Sequence, residues 1–292
     1  MSQALNITLP AGIEAPTSAD VRQAKQYVLQ RTQAEIVLAD LIDEVLNVYV
    51  GRIVRLCYQY NIAPTNFNFA ATEELRRKVY ALLDDMEEEI FALIEDYAIP
   101  VSKKDKHHPI LLAWLLSLGT HNWDFRTTLQ YYIYRFSKDI EAAIAAMRYA
   151  NINQTTAISL IRSALHEPYS LPQLMTAIKS GQFFSADMIR SGGIKTDPIT
   201  HRPTSGLSRV GATNITTIAR TTLSMAWMRS KHMEQQERGA AGYFVFRGSS
   251  YPCPACDHET TYFHPIQDGM ILPVHSHCCC FAVFVNPKDT NE

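Results

Sequence analysis

Apolar residues recur at helical spacing over a long stretch near the start of the chain. Val28, Val37, Leu38, Leu41, Ile42, Val45, Leu46, Val48, Tyr49, Ile53 and Leu56 follow that spacing. Thr17-Ser18-Ala19-Asp20 supplies a start signal and Pro64 a stop. The helix expected over 17–60 exceeds the usual length, which points to a bundle or coiled-coil element. A second helix is expected over 72–98, with Leu75, Val79, Leu82, Leu83, Met86, Ile90, Leu93 and Ile94 on one face. Glu73 and Glu74 lie at its positive end. The acidic run Asp84-Asp85-Met86-Glu87-Glu88-Glu89 reads as a solvated face of that helix. Further helical stretches follow at 109–118, 122–150, 153–166 and 171–180. Tyr131, Tyr132, Tyr134 and Phe136 cannot all face one core, so some of these rings meet another element, another chain or solvent.

The pattern changes after residue 190. Gly192, Gly193, Pro198, Pro203 and Gly206 make 191–211 a linker, and loops of that length are usually functional or disordered. Beyond it a helix is expected over 212–238, stopped by Gly239 and Gly242. Tyr243-Phe244-Val245-Phe246 reads as a strand and Phe281-Ala282-Val283-Phe284-Val285 as its partner. The fold class is therefore α+β and mostly helical. Residues 1–16 form an extended arm, 17–190 a bundle-like helical domain and 212–292 a smaller α+β domain. The last is expected to fold without residues 1–150.

The chain has 292 residues, 47% of them hydrophobic, and a formal net charge of −2. That is ample for a core. It argues against broad electrostatic binding of nucleic acid, leaving room for a local contact with DNA. The longest apolar run, 110–118, falls well short of the ~20 residues of a membrane span, so no membrane is expected. The charged turn Lys103-Lys104-Asp105-Lys106-His107-His108 reads as an exposed loop.

Five of the six cysteines lie in the last fifty residues. Cys253-Pro254-Ala255-Cys256 is followed, about twenty residues on, by His275-Ser276-His277-Cys278-Cys279-Cys280. Two such knuckles around a loop have the spacing of a structural zinc site, in which thiolates and an imidazole complete a tetrahedron. Cys253, Cys256, His275, Cys278 and Cys280 are the candidate ligands, one more than a tetrahedron needs. His277 and Cys279 alternate with them and are expected to point away. The first residues lack the basic start and apolar run of a signal peptide, so a reducing compartment and metal are favoured over disulfides. Cys57 reads as a small core residue of the first long helix.

The pattern Cys253-Pro254-Ala255-Cys256, then Leu272-Pro273-Val274-His275-Ser276-His277-Cys278-Cys279-Cys280, resembles the C-terminal signature of the phage Mu protein F-like minor head proteins. Ile218-Ala219-Arg220-Thr221-Thr222 matches the Ala-Arg-Thr helix that members carry upstream. The resemblance covers residues 208–286, with Ser276 where the family usually has Pro and Cys279 where it has Arg. Arg247 to Pro252 replace its usual acidic–basic pair. It implies a head morphogenesis role in a phage or prophage, in several copies against portal or capsid proteins, in a virion assembled in the host cytoplasm. It also implies a core shared with ADP-ribosyltransferases, which would make Arg220 a cofactor contact.

No catalytic constellation accompanies this. The chain has no Gly-rich phosphate loop and no His-Glu-x-x-His. The alternative is a zinc-containing nuclease or ADP-ribosyltransferase-like toxin, using His275 with Asp257, Glu259 or Asp268. A surplus of cysteine ligands favours a closed, structural site instead.

Overall fold

A computed structural model describes residues 9–118, 124–165, 211–250, 252–260, 262–275 and 278–288. The architecture is α+β and mostly helical. In chain order come α1 (Ser18–Gln59), α2 (Glu73–Ala98), α3 (His108–Ser117), α4 (Phe125–Tyr149), α5 (Gln154–Leu165) and α6 (Gly211–Glu237). Then follow β1 (Gly242–Phe246), the short α7 (Pro254–Glu259), β2 (Phe263–Pro265) and β3 (Phe281–Val285). The helix expected over 171–180, most of the 191–211 linker, residues 1–8, Trp123 and His277 lie outside the described residues. No described helix is long and apolar enough to cross a membrane.

The helix ends follow from local chemistry. Thr17 and Asp20 cap α1 reciprocally: the Asp20 N–H donates to Thr17 Oγ1 and the Thr17 N–H to Asp20 Oδ2. Asp124 caps α4 by accepting from the Thr127 N–H at 2.7 Å. Gly239, at φ +82°, ends α6 in a Schellman turn, with Ala240 N–H on Gln235 O and Gly239 N–H on Gln236 O. Gly242 is the first residue of β1 rather than part of that stop.

The chain divides into two compact units, neither continuous in sequence. The first comprises Met1–Leu38, Asp96–Leu115 and Ala219–Glu292; the second comprises Ala39–Glu95 and Leu116–Ile218. The unit that holds the sheet is thus not drawn from 212–292 alone, and α1 supplies residues to both.

In the second unit the core is aliphatic and aromatic. Ile42, Val50, Ile53, Val79, Met86, Ile90, Leu129, Ile140 and Ile144 are fully buried along helices with clear 3.6-residue stripes. Cys57 is buried among them, and burial pushes its thiol up to about 12. No basic residue of α1 answers its last carbonyls. Arg148 of α4 does so, donating to the carbonyls of Cys57, Tyr60 and Ile62 at 2.9, 3.0 and 2.7 Å. The acidic run on α2 is not wholly solvated. Glu87 is buried and accepts from Gln130 at 2.9 Å, while Asp84, Asp85, Glu88 and Glu89 are exposed. Phe136 enters the core, whereas Tyr131 and Tyr134 stay exposed.

In the first unit β1 is central to a three-stranded antiparallel sheet of order β2-β1-β3. Val245 faces Ala282 and Tyr243 faces Phe284, so alternation puts these four side chains on one face. Phe246 stacks on Phe281 at 5.5 Å on the other. The arm is pinned at its end: Ile13 bridges Pro287, and the Lys288 N–H donates to Gly12 O at 2.8 Å. The charged turn before α3 is also engaged, with Lys106 and His107 both on Glu237 at 2.7 and 2.9 Å.

Candidate metal centre

The sheet brings the two cysteine knuckles together. Cys253 is the N-cap of α7 and Cys256 lies in its only full turn, so one short helix presents both sulfurs. Pro254, at the first helical position, suits that start because its missing N–H would be unpaired there anyway. On the other knuckle the Cys278 N–H donates to His275 O at 3.2 Å, closing a turn. Cys278 and Cys280 then run into β3 two residues apart and both are buried, while Cys279 between them is exposed.

Gly248, just after β1, makes the closest backbone approach. A Cβ there would lie 1.8 Å from the Cys279 carbonyl oxygen, so no other residue fits. The Gly248 N–H reaches the Cys280 sulfur, and the Val274 and Cys280 N–H groups reach that of Cys278.

Two triads result. Cys253, Cys256 and His275 have their ligand atoms within 4.8 Å of one another, and so do Cys256, Cys278 and Cys280. Cys256 belongs to both. His275 Nε2 is 3.3 Å from Cys253 Sγ and 3.1 Å from Cys256 Sγ, and Cys256 Sγ is 3.8 Å from Cys278 Sγ. Ordinary zinc–sulfur and zinc–nitrogen bonds give a tetrahedron S···S edges of about 3.8 Å and S···N edges of about 3.6 Å. The donor set fits a metal ion and the Cys256–Cys278 distance matches such an edge, while the S···N distances are shorter and the five ligands stand as two triads rather than one tetrahedron. All six cysteines are free thiols.

The environment is dry. Met228, Tyr243, Val245, Leu272 and Ala282 share the core of the four buried cysteines, with Tyr27 and Phe284 packed against it. Tyr243 holds the loop before His275 by donating to Gly269 O at 2.9 Å and accepting from the Ile271 N–H at 3.1 Å. The thiols are already polarised. A hydrogen bond from Cys280, outweighing burial, lowers Cys278 to about 5, and the proton stays on Cys280, whose pKa is pushed up. The Cys256 N–H, with His275 nearby, lowers Cys253 to about 7. Burial first, and then its neighbours, raises Cys256 to about 12. A metal that displaced those protons would find two sulfurs already favouring the thiolate.

The other sequence candidates lie in different surroundings. Asp257 pairs with Arg247, which also donates to Cys253 O at 3.4 Å. Glu259 accepts through its backbone carbonyl from His264 at 3.0 Å. Arg220 lies 3.6 Å from the buried carboxylate of Glu35. That carboxylate also lies 3.2 Å from Arg31 Nε. Arg31, 1% exposed, donates from Nη2 to the Cys278 carbonyl at 2.8 Å. Sequence reading missed Arg31 and Glu35 because an Arg–Glu pair four residues apart on a long helix has the look of a solvated face. Comparison with protein-family models, with curated proteins and with solved structures finds no match.

Proposed function

We propose that this chain is a structural head morphogenesis protein of a phage or prophage, of the Mu F-like kind, with one zinc ion holding its C-terminal knuckles shut. The observation that carries the reading is a coincidence. The residues that give the chain its resemblance, Cys253, Cys256, His275, Cys278 and Cys280, are those whose ligand atoms gather into two triads around Cys256, and the first four make the set. They are the proposed ligands, with Cys280 as the surplus thiol that supports Cys278. Cys278 belongs to the second triad only, so one ion bound by all four draws the triads together about Cys256. Zinc so held cross-links α7 to the start of β3 and leaves no open position for a substrate. Its binding energy acts as folding energy. Function then lies in surfaces that meet portal or capsid proteins in several copies per particle.

Two measurements test this. Elemental analysis of protein made without added metal should find about one zinc per chain, and less than about a tenth of an equivalent in folded protein would remove the zinc. Mass spectrometry should find the chain in particles or precursor heads of the phage or prophage that encodes it. Its absence from both would end the head-protein reading and bring forward the alternative of a zinc nuclease or ADP-ribosyltransferase-like toxin.

A further inference from the structure

The charges gathered near the cysteines do not cancel. Arg31 and Arg220 bring two positive charges to one carboxylate, Glu35, at 3.2 and 3.6 Å. Arg31 and Glu35 are 1% and 6% exposed. Arg31 Nη1 and Arg220 Nε are buried with no hydrogen-bond partner among the described residues. Arg220 keeps 29% of its side chain exposed, so only part of this net +1 is held out of water, and that part is costly unless a negative charge lies beside it. The neighbour that Arg31 touches is the cysteine knuckle, through the Cys278 carbonyl. The Arg247–Asp257 pair is also at the cluster, and it is neutral as a pair.

Cysteines that keep their protons offer no such charge. A divalent ion bound by three thiolates and a neutral imidazole carries −1, and one bound by four thiolates carries −2. We propose that Arg31, Glu35 and Arg220 form the built-in counter-charge of an anionic metal–thiolate centre, with Arg31 as its positioning residue. The +1 of the array has the sign that offsets the −1 of three thiolates plus His275. The inference rests on the zinc reading above and deepens it. It gives α1 a part in holding a metal whose ligands all lie near the other end of the chain.

The test is competition for zinc between the full-length protein and a chromophoric chelator. Arg31→Met should weaken zinc binding by about 10- to 100-fold, the usual cost of losing an outer-shell partner. Arg31→Lys, which keeps the charge, should lose less, and Arg220→Met should also weaken binding. Glu35→Gln raises the array to +2 and should tighten binding. That sign separates the proposal from a packing role, since packing damage weakens binding in every variant. Weaker binding in Glu35→Gln, or equal affinities within about twofold throughout, overturns the proposal. If Arg31→Met does not fold, Arg220→Met and Glu35→Gln decide the matter by their opposite signs. A wild type that holds no zinc at all overturns the zinc reading and this inference with it; a zinc-bound wild type with unresponsive variants overturns this inference alone.

Discussion

The two compact units are held together by different means. The second, Ala39–Glu95 with Leu116–Ile218, is built on helical stripes of Ile, Leu, Val and Phe. The first, Met1–Leu38 with Asp96–Leu115 and Ala219–Glu292, spends its centre on thiols, an imidazole and a buried ionic array around a sheet of only three short strands. Apolar burial is additive and survives the loss of a contact. Coordination and buried charge are all-or-none, because removing one partner strands the rest. The units should therefore fail in different ways.

Metal removal should separate them most. Zinc in small structural sites contributes about 10–16 kcal/mol, as much as the net stability of a whole domain. With a strong chelator, hydrogen exchange in β1 and β3 should rise to that of an open chain while α2 and α4 keep their protection. Equal loss in both units would erase the contrast. The next largest effect is expected from truncation. Tyr27, which donates to Trp227 O at 2.6 Å, and Arg31 are parts of the first unit. A fragment of 212–292 should therefore fail to retain zinc through gel filtration. A folded fragment with a full equivalent would show that α1 is dispensable.

The second unit has its own point of polar dependence. Arg148→Met removes the guanidinium from the carbonyls of Cys57, Tyr60 and Ile62, the first two of which keep a backbone donor, and should cost about 1–3 kcal/mol. Chemical denaturation should show that loss in the second unit's transition, with zinc content unchanged. A change below about 0.5 kcal/mol would mean that water replaces the guanidinium fully.

The smallest effect is a pH slope in the first unit. His232 is buried, donates its Nε2–H to Ile266 O at 2.9 Å, and has its pKa lowered below 6.5 chiefly by burial. The unfolded chain then binds more protons than the folded one. Stability is complete above pH 6.5 and falls as pH drops through the folded value. His232→Gln should flatten that part of the profile relative to wild type, and an unchanged slope would assign it elsewhere.

The long helices were legible because period and punctuation agreed. Thr17 to Asp20 opened α1, Gly239 closed α6, and β1 and β3 announced themselves as short aromatic and β-branched runs. The five candidate ligands were legible from spacing, and the fold gathers them into two triads. Other features gave no local signal. β2 is three half-buried residues, too short for a pattern. α7 could have been found from Pro254 directly after an N-cap position. Glu87 looked solvated because its partners on α4 are more than thirty residues away. Arg31 is the extreme case, since nothing within its own helix marks it as buried.

That contact joins residues 247 positions apart. During synthesis, at about 5–20 residues per second, Arg31 leaves the ribosome roughly 12–50 s before Cys278 does. Through that interval the first half of α1 has neither its carbonyl acceptor nor the knuckle it packs against. Docking of the first half of α1 on the cysteine centre thus comes only after translation has passed Cys278, and a chain arrested before then leaves Arg31 without its carbonyl partner.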